Sequence, residues 1–228
     1  MSGLEAKWEI PIRYENKSLH QNRCLFQFKC AALAYASAIS AQTITFDDLN
    51  AGTLPGSLND WSAPIPNGYA GLNWNNFGVM DVPLNLLAFP GDGGYENGLV
   101  SGNNAAWNEY GNPASISGGP FNLDSAYLTA AWNNGLQVEV EGFVGGSLTY
   151  NNTYTVNPTG PTLIGFNYLD VDEVTIISSG GVNDDVYSGS GTEFVMDNVT
   201  ISAVPEPTTL AWTGLGGLAS LVAFRRGK

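Results

Sequence analysis

Between Lys29 and Arg225 the chain has no lysine or arginine, and that gap restricts how the intervening segment can fold. The only histidine, His20, and both cysteines, Cys24 and Cys30, also precede it. Residues 42–204 carry 17 acids and no base. A domain built from them cannot neutralise a buried carboxylate with a basic side chain. Each acid must stay in water, bond neutral donors, hold a proton or bind a cation.

The same gap excludes whole classes of chemistry. A body without bases cannot bind phosphate backbones by counterion release, so nucleic acid is excluded as a partner. No thiolate nucleophile, Ser-His-Asp triad, His or Cys metal site or disulfide can form in it. Carboxylates, hydroxyls, amides and aromatic rings remain.

The body reads as short strands. In Leu136–Glu141, Leu136, Val138 and Val140 alternate with Gln137, Glu139 and Glu141, the period of a half-buried strand. Asn134-Gly135 predicts a hairpin joining this strand to 127–132, and Gly145-Gly146 a turn into 148–156. Further strands are expected at 43–47, 73–79, 162–168, 173–178 and 193–202, with a long loop over 80–125. No helical period stands out in the body. With 28 Gly and 12 Pro in the chain, seven or more strands predict an all-β, single-domain β-sandwich, a jelly roll above other versions.

Both ends read as addresses. Residues 25–41, LFQFKCAALAYASAISA, have the order of a signal peptide, with cleavage after Ala41 leaving Gln42 first, or after Ala38. Residues 1–24 are polar and mixed in charge. They read as a spurious or disordered extension, with translation starting near Leu25. At the other end, residues 205–228 combine Pro205-Glu206-Pro207, an apolar stretch from Leu210 to Phe224, and Arg225-Arg226. As a helix, 208–224 would reach about 25 Å, short for a hydrocarbon core of about 30 Å. The arginines would stay cytoplasmic and leave the body outside.

This ordered tail resembles a PEP-CTERM sorting signal, also called the ice-binding protein C-terminal domain. The resemblance implies transient membrane anchoring, recognition by an exosortase-type sorting protease, and delivery to the cell surface or extracellular matrix. The glycines at 214, 216 and 217 dilute the helix and disfavour permanent anchoring. The body, 42–204, is similar to secreted proteins of bacteria and fungi with galactose-binding-like jelly rolls. The phrases carrying this are TFDDL (45–49), PIPNGYAGLNWNNF (64–77), LVSGNNAAWNEYGNPASIS (99–117), FNLDSAYLTAAWNNGLQVEVEGF (121–143) and EFVMDNVTI (193–201). The opening Phe-Asp-Asp and closing Asp-Asn-Val also resemble calcium-bearing jelly-roll carbohydrate-binding modules.

Candidate site residues follow from parity and ring chemistry. Asp48 shares parity with Ile44 and Phe46, and Asp197 with Val195, Val199 and Ile201, so regular strands would turn both acids inward. First and last strands are often neighbours in such sandwiches, so the pair could hold a structural Ca²⁺. Bulges turning the acids outward, or loop N–H groups capping them, would serve as well. Trp61, Trp107 and Tyr110 lie in loop-like sequence and are the candidate platform for stacking on sugar faces. Trp74 and Trp132 lie in or beside strands and read as core. The acids at 170, 172 and 173, and at 184 and 185, read as solvated turns.

Two functions stay open. One is an exported, non-catalytic surface or matrix protein whose sandwich binds a neutral, or cation-bridged, polysaccharide. The other is a polysaccharide hydrolase using Glu139 and Glu141, whose Cα atoms would stand about 7 Å apart on one strand face. The first is favoured, because adjacent glutamates on an open strand face are usually its wet side.

Overall fold

The structure, a computed structural model, describes residues 40–204. The signal segment through residue 39 and the tail from Pro205 lie outside the described residues. The strands are β1 (Ala41–Ile44), β2 (Ser62–Pro64), β3 (Asn73–Asn75), β4 (Phe77–Asp81), β5 (Asn104–Asn108) and β6 (Ala114–Ala130). They continue with β7 (Asn133–Asn134), β8 (Leu136–Val144), β9 (Ser147–Val156), β10 (Thr162–Ser179), β11 (Val182–Asn183) and β12 (Phe194–Ala203). Two short helices, α1 (Val82–Ala88) and α2 (Gly93–Gly98), lie between β4 and β5.

The result is the all-β sandwich expected from the sequence. The main sheet runs β2-β4-β5-β12-β6-β10-β8-β9, with β1 on β12 and β3 on β6, and all its pairs are antiparallel. Two long strands fold it into layers. The first half of β6 pairs the second half of β10, and its second half pairs β12 and the first half of β10. Register shifts between Gly165 and Glu173 mark the bend, where Asn167 and Asp170 take left-handed φ of 52° and 58°. Bulges of this kind turn a strand from one layer to the other.

One core cluster draws on both layers, including Leu128, Met196 and Val79 from one and Val138, Val140, Val174 and Ile176 from the other. On β8 the alternation is as expected: Leu136, Val138 and Val140 are buried while Gln137, Glu139 and Glu141 are partly exposed. Gly145 and Gly146, at φ 57° and 74°, make the tight turn to β9 that an L side chain would resist.

Several expectations need correction. The hairpin at Asn134-Gly135 does not form: β6 and β8 flank β10 on opposite sides, and β7 pairs β11 instead. The expected strand at 73–79 breaks into β3 and β4 at Asn76, φ 55°, whereas 162–168 and 173–178 belong to one strand. Residues 170–173 therefore lie in β10 rather than in a loop. The expected loop at 80–125 contains α1, α2, β5 and the first half of β6. Helix α1 starts because Asp81 caps it, its Oδ1 accepting from the Leu84 N–H at 3.0 Å, with Pro83 in the first turn.

Candidate carbohydrate-binding cleft

The aromatic residues expected to form a platform come from two segments, Trp61 from one and Trp107 with Tyr110 from the other, and meet in one cleft of about 320 Å³. Trp61 stands just before β2, where its carbonyl accepts from the Asp81 N–H at 2.8 Å. Trp107 lies in β5 rather than in a loop, and is only 5% exposed. Tyr110 follows in a tight turn with φ 58° and is 67% exposed. Trp132, expected in the core, is buried but also lines the cleft. Trp74 is core, as expected.

Edge-to-face contacts join the rings. Centroid distances are 5.8 Å for Trp107–Tyr110, 6.1 Å for Tyr95–Trp107, 5.4 Å for Tyr95–Trp132 and 5.5 Å for Trp61–Phe89. Such pairs exceed their area burial in stabilisation by about 1 kcal/mol each. The Trp107 indole N–H donates to Ser62 Oγ at 3.0 Å, fixing its ring plane. Glycines make room for the rings: a Cβ at Gly189 would collide with the Trp132 six-membered ring, and one at Gly78 with the Trp107 indole.

Polar groups complete the wall. Asp92 immediately precedes α2, makes no side-chain bond to its first turn and is 8% exposed. It accepts from Ser188 Oγ at 3.0 Å and from Asn85 Nδ2 at 3.2 Å. Glu193 precedes β12. Burial pushes its carboxyl up, while its own backbone N–H and the Trp132 indole oppose the rise. Burial likewise raises Glu109, at the cleft's margin beside Gly78 and Trp107. Among the described residues four buried side-chain polar atoms lack a partner: Ser57 Oγ, Thr129 Oγ1, Trp61 Nε1 and Glu193 Oε2. The last two belong to residues lining the cleft. One is a donor and the other an acceptor.

Sequence reasoning missed Glu193, Asp92, Tyr95 and Phe89. The last three lie in or beside the two helices that no period announced, Tyr95 in α2, Asp92 just before it and Phe89 just after α1. Glu193 lies in the turn-rich run before β12, where strand parity says nothing.

The other candidate, Asp48 with Asp197, is resolved differently. Asp197 is fully buried, as parity predicts. It faces backbone donors: Oδ2 accepts from the N–H groups of Val100 and Ser101 at 2.8 and 3.0 Å, and Oδ1 from Asn198 at 2.6 Å. This is the loop capping that the sequence left open. Burial still raises Asp197, with these three N–H groups opposing the rise. Asp48 does not point inward. Strand β1 ends at Ile44 and Phe46 turns left-handed, φ 63°, which breaks the parity. Asp48 is exposed and accepts from the Tyr69 hydroxyl at 2.6 Å, which with burial pushes the Tyr69 phenol far up. The neighbouring Asp47, also exposed, caps the loop instead, Oδ1 accepting from the Asn103 and Asn104 N–H groups at 2.8 and 3.0 Å. Among the described residues no three acids, histidines or cysteines group to hold a metal ion. Asp48 and Asp197 thus face different partners, the Tyr69 hydroxyl and the N–H groups of the 100–101 loop.

Glu139 and Glu141 stand on the outer face of β8 and line none of the cleft. Glu139 Oε1 accepts from Asn151 Nδ2 on β9 at 2.9 Å. Among the described residues no helix is long and apolar enough to cross a membrane.

No protein-family model matches the sequence, and no curated protein matches it. The fold is similar to that of a DUF4465 family protein from Bacteroides caccae, with TM-score 0.51, 13% identity, and 71% of this chain and 98% of that one covered. A second DUF4465 family protein, from Bacteroides ovatus, gives TM-score 0.45 at 8% identity over 73% of this chain and 100% of that one. TmCBM61, solved in complex with β-1,4-galactotriose, gives 0.33 at 9% identity over 60% of this chain and 93% of that one. At these identities the likeness is one of fold. Fold and cleft together define a β-sandwich with an aromatic-lined cleft at the start of β12.

Proposed function

We propose that the protein is an exported, non-catalytic surface or matrix protein whose aromatic cleft binds a polysaccharide. The observation that carries this reading is the convergence of Trp61 with Trp107 and Tyr110, some 46 residues further along the chain, on one cleft. Sugar rings present apolar faces that stack on aromatic rings, while their hydroxyls both donate and accept hydrogen bonds. A sugar hydroxyl has the donor that the unpartnered Glu193 oxygen lacks and the acceptor that the unpartnered Trp61 N–H lacks, and both buried atoms belong to residues lining the cleft.

The reading of export rests on the signal at 25–41 and on the tail, with Pro205, Glu206, Pro207, Arg225 and Arg226 as its sorting elements. The fold is compatible with both. Ala41 pairs with Ser202, so the chain enters and leaves the sandwich side by side, at the end of β12 remote from Glu193. Ten residues of strand separate the ends of β12 by about 30 Å. A body anchored through its tail would hold the cleft away from that attachment.

The test is an array of neutral polysaccharides probed with the purified protein and with the Trp61→Ala variant. Binding by the first that is lost in the second supports the cleft. Equal signals from both, or the release of reducing ends from a bound polymer, contradict the proposal.

A further inference from the structure

We infer that the cleft prefers a cationic amino sugar, one bearing a protonated amine, over neutral sugars. This rests on the reading of the cleft as a sugar site and specifies its ligand.

The cleft holds charge that has no counterpart. Asp92 and Glu193 line the cleft, and no Lys, Arg or His exists between residues 30 and 224 to pair with them. Asp92 is bonded to neutral donors alone, a hydroxyl and an amide. Glu193 Oε2 has no partner. Carboxylates held between rings and out of water keep much of their field, because little solvent screens it. The rings add to that field, since aromatic faces attract cations. Trp61, Tyr110 and Trp132 supply such rings in the same cleft.

A neutral sugar engages the stacking surface and the hydrogen-bonding groups but leaves this field unopposed. A glucosamine residue engages the same surface and also places a –NH₃⁺ beside Glu193. The desolvated carboxylates favour their ionised form once a cation is adjacent. The quantity that distinguishes the two ligands is thus the response to charge, not to ring shape.

The net acidity of the body would also attract any polycation through long-range forces, so short oligomers and a single-residue variant are needed. Titration calorimetry with the glucosamine trimer, its N-acetylated counterpart and cellotriose, at about pH 6 and low salt, separates these contributions. The glucosamine trimer is expected to bind about tenfold more tightly than the other two. Glu193→Gln should remove most of that preference, so that the variant binds the glucosamine trimer no more tightly than cellotriose, and Trp61→Ala should weaken all three. Equal affinity for the three trimers, all weakened by Trp61→Ala, would overturn the charge preference and leave the sugar cleft standing. A glucosamine preference that survives both substitutions is diffuse attraction to an acidic body and also overturns the inference. Cellotriose binding that ignores Trp61→Ala removes the sugar cleft itself.

Discussion

Two acids four residues apart, Glu193 and Asp197, are both pushed up by burial yet meet opposite surroundings. Asp197 lies where β12 passes from β5 to β1, at a register shift with Asn198 left-handed at φ 49°. There it takes three backbone N–H bonds, and Asp47 takes two more from the same loop. Asn104 Nδ2 finishes the junction by donating to the Phe46 and Leu49 carbonyls. This region spends its polar capacity on itself. The cleft at the start of β12 does not: it keeps a free indole N–H and a free carboxylate oxygen among partly exposed rings. In a body without bases, hydrogen bonding within the fold marks an acid as structural. Unspent capacity beside aromatic rings marks it as available to a ligand.

The largest effect that sharpens this contrast belongs to the ring that serves both fold and cleft. Trp107→Ala removes a 5% exposed indole, its bond to Ser62 and its edge contact with Tyr95. It should cost about 3–5 kcal/mol in urea unfolding and abolish binding. A loss of binding with unchanged stability would mean that Trp107 does not hold the cleft's wall.

Next is Asp197→Ala, which strands three N–H donors at once. A loss of about 3 kcal/mol is expected, with Asp197→Asn falling between the two because one acceptor oxygen remains. Sugar affinity should not move. A chelator should leave the wild-type melting temperature where it was, since N–H groups occupy this carboxylate. A fall in melting temperature on chelation, absent from Asp197→Ala, would restore the calcium site.

Smaller still is the response of Glu193 to pH. Its folded carboxyl ionises above its unfolded value, so the native state holds the extra proton in the window just above the ordinary glutamate pKa of about 4.5. Stability from this group is therefore present at lower pH and is lost as pH rises through the folded value. Glu193→Gln should melt higher than wild type at pH 7, with the gap closing towards pH 4. A gap that widens on acidification contradicts the assignment.

Much of this was legible in the sequence, and the rest was hidden for identifiable reasons. The alternation on β8 and the glycine pair at 145 and 146 could be read because they depend on residues adjacent in the chain. The three platform rings could be named from their chemistry, though not their meeting, which needs the packing of β5 beside β4 and of the α1–α2 segment beside them. Parity failed where a single residue turned left-handed: past Phe46 both Asp47 and Asp48 stay exposed, and Asn76 divided the strand at 73–79. Period-two reasoning cannot see such a residue, because one φ reversal rotates everything after it. The hairpin at Asn134-Gly135 failed for another reason. Its turn chemistry was sound, but β10 paired with both intended partners and stood between them.

The claim that unspent capacity in the cleft is there for a sugar is tested most directly at Tyr110, exposed by 67% and marginal to the fold. Calorimetric titration of a bound oligosaccharide into wild type, Tyr110→Ala and Glu139→Gln compares the cleft with the outer face of β8 in one experiment. Tyr110→Ala should lose about tenfold in affinity, or 1.4 kcal/mol, with a melting temperature within about 2 °C of wild type, and Glu139→Gln should match wild type throughout. Unchanged affinity in Tyr110→Ala, together with a loss in Glu139→Gln, would move the site to the outer face and contradict the account.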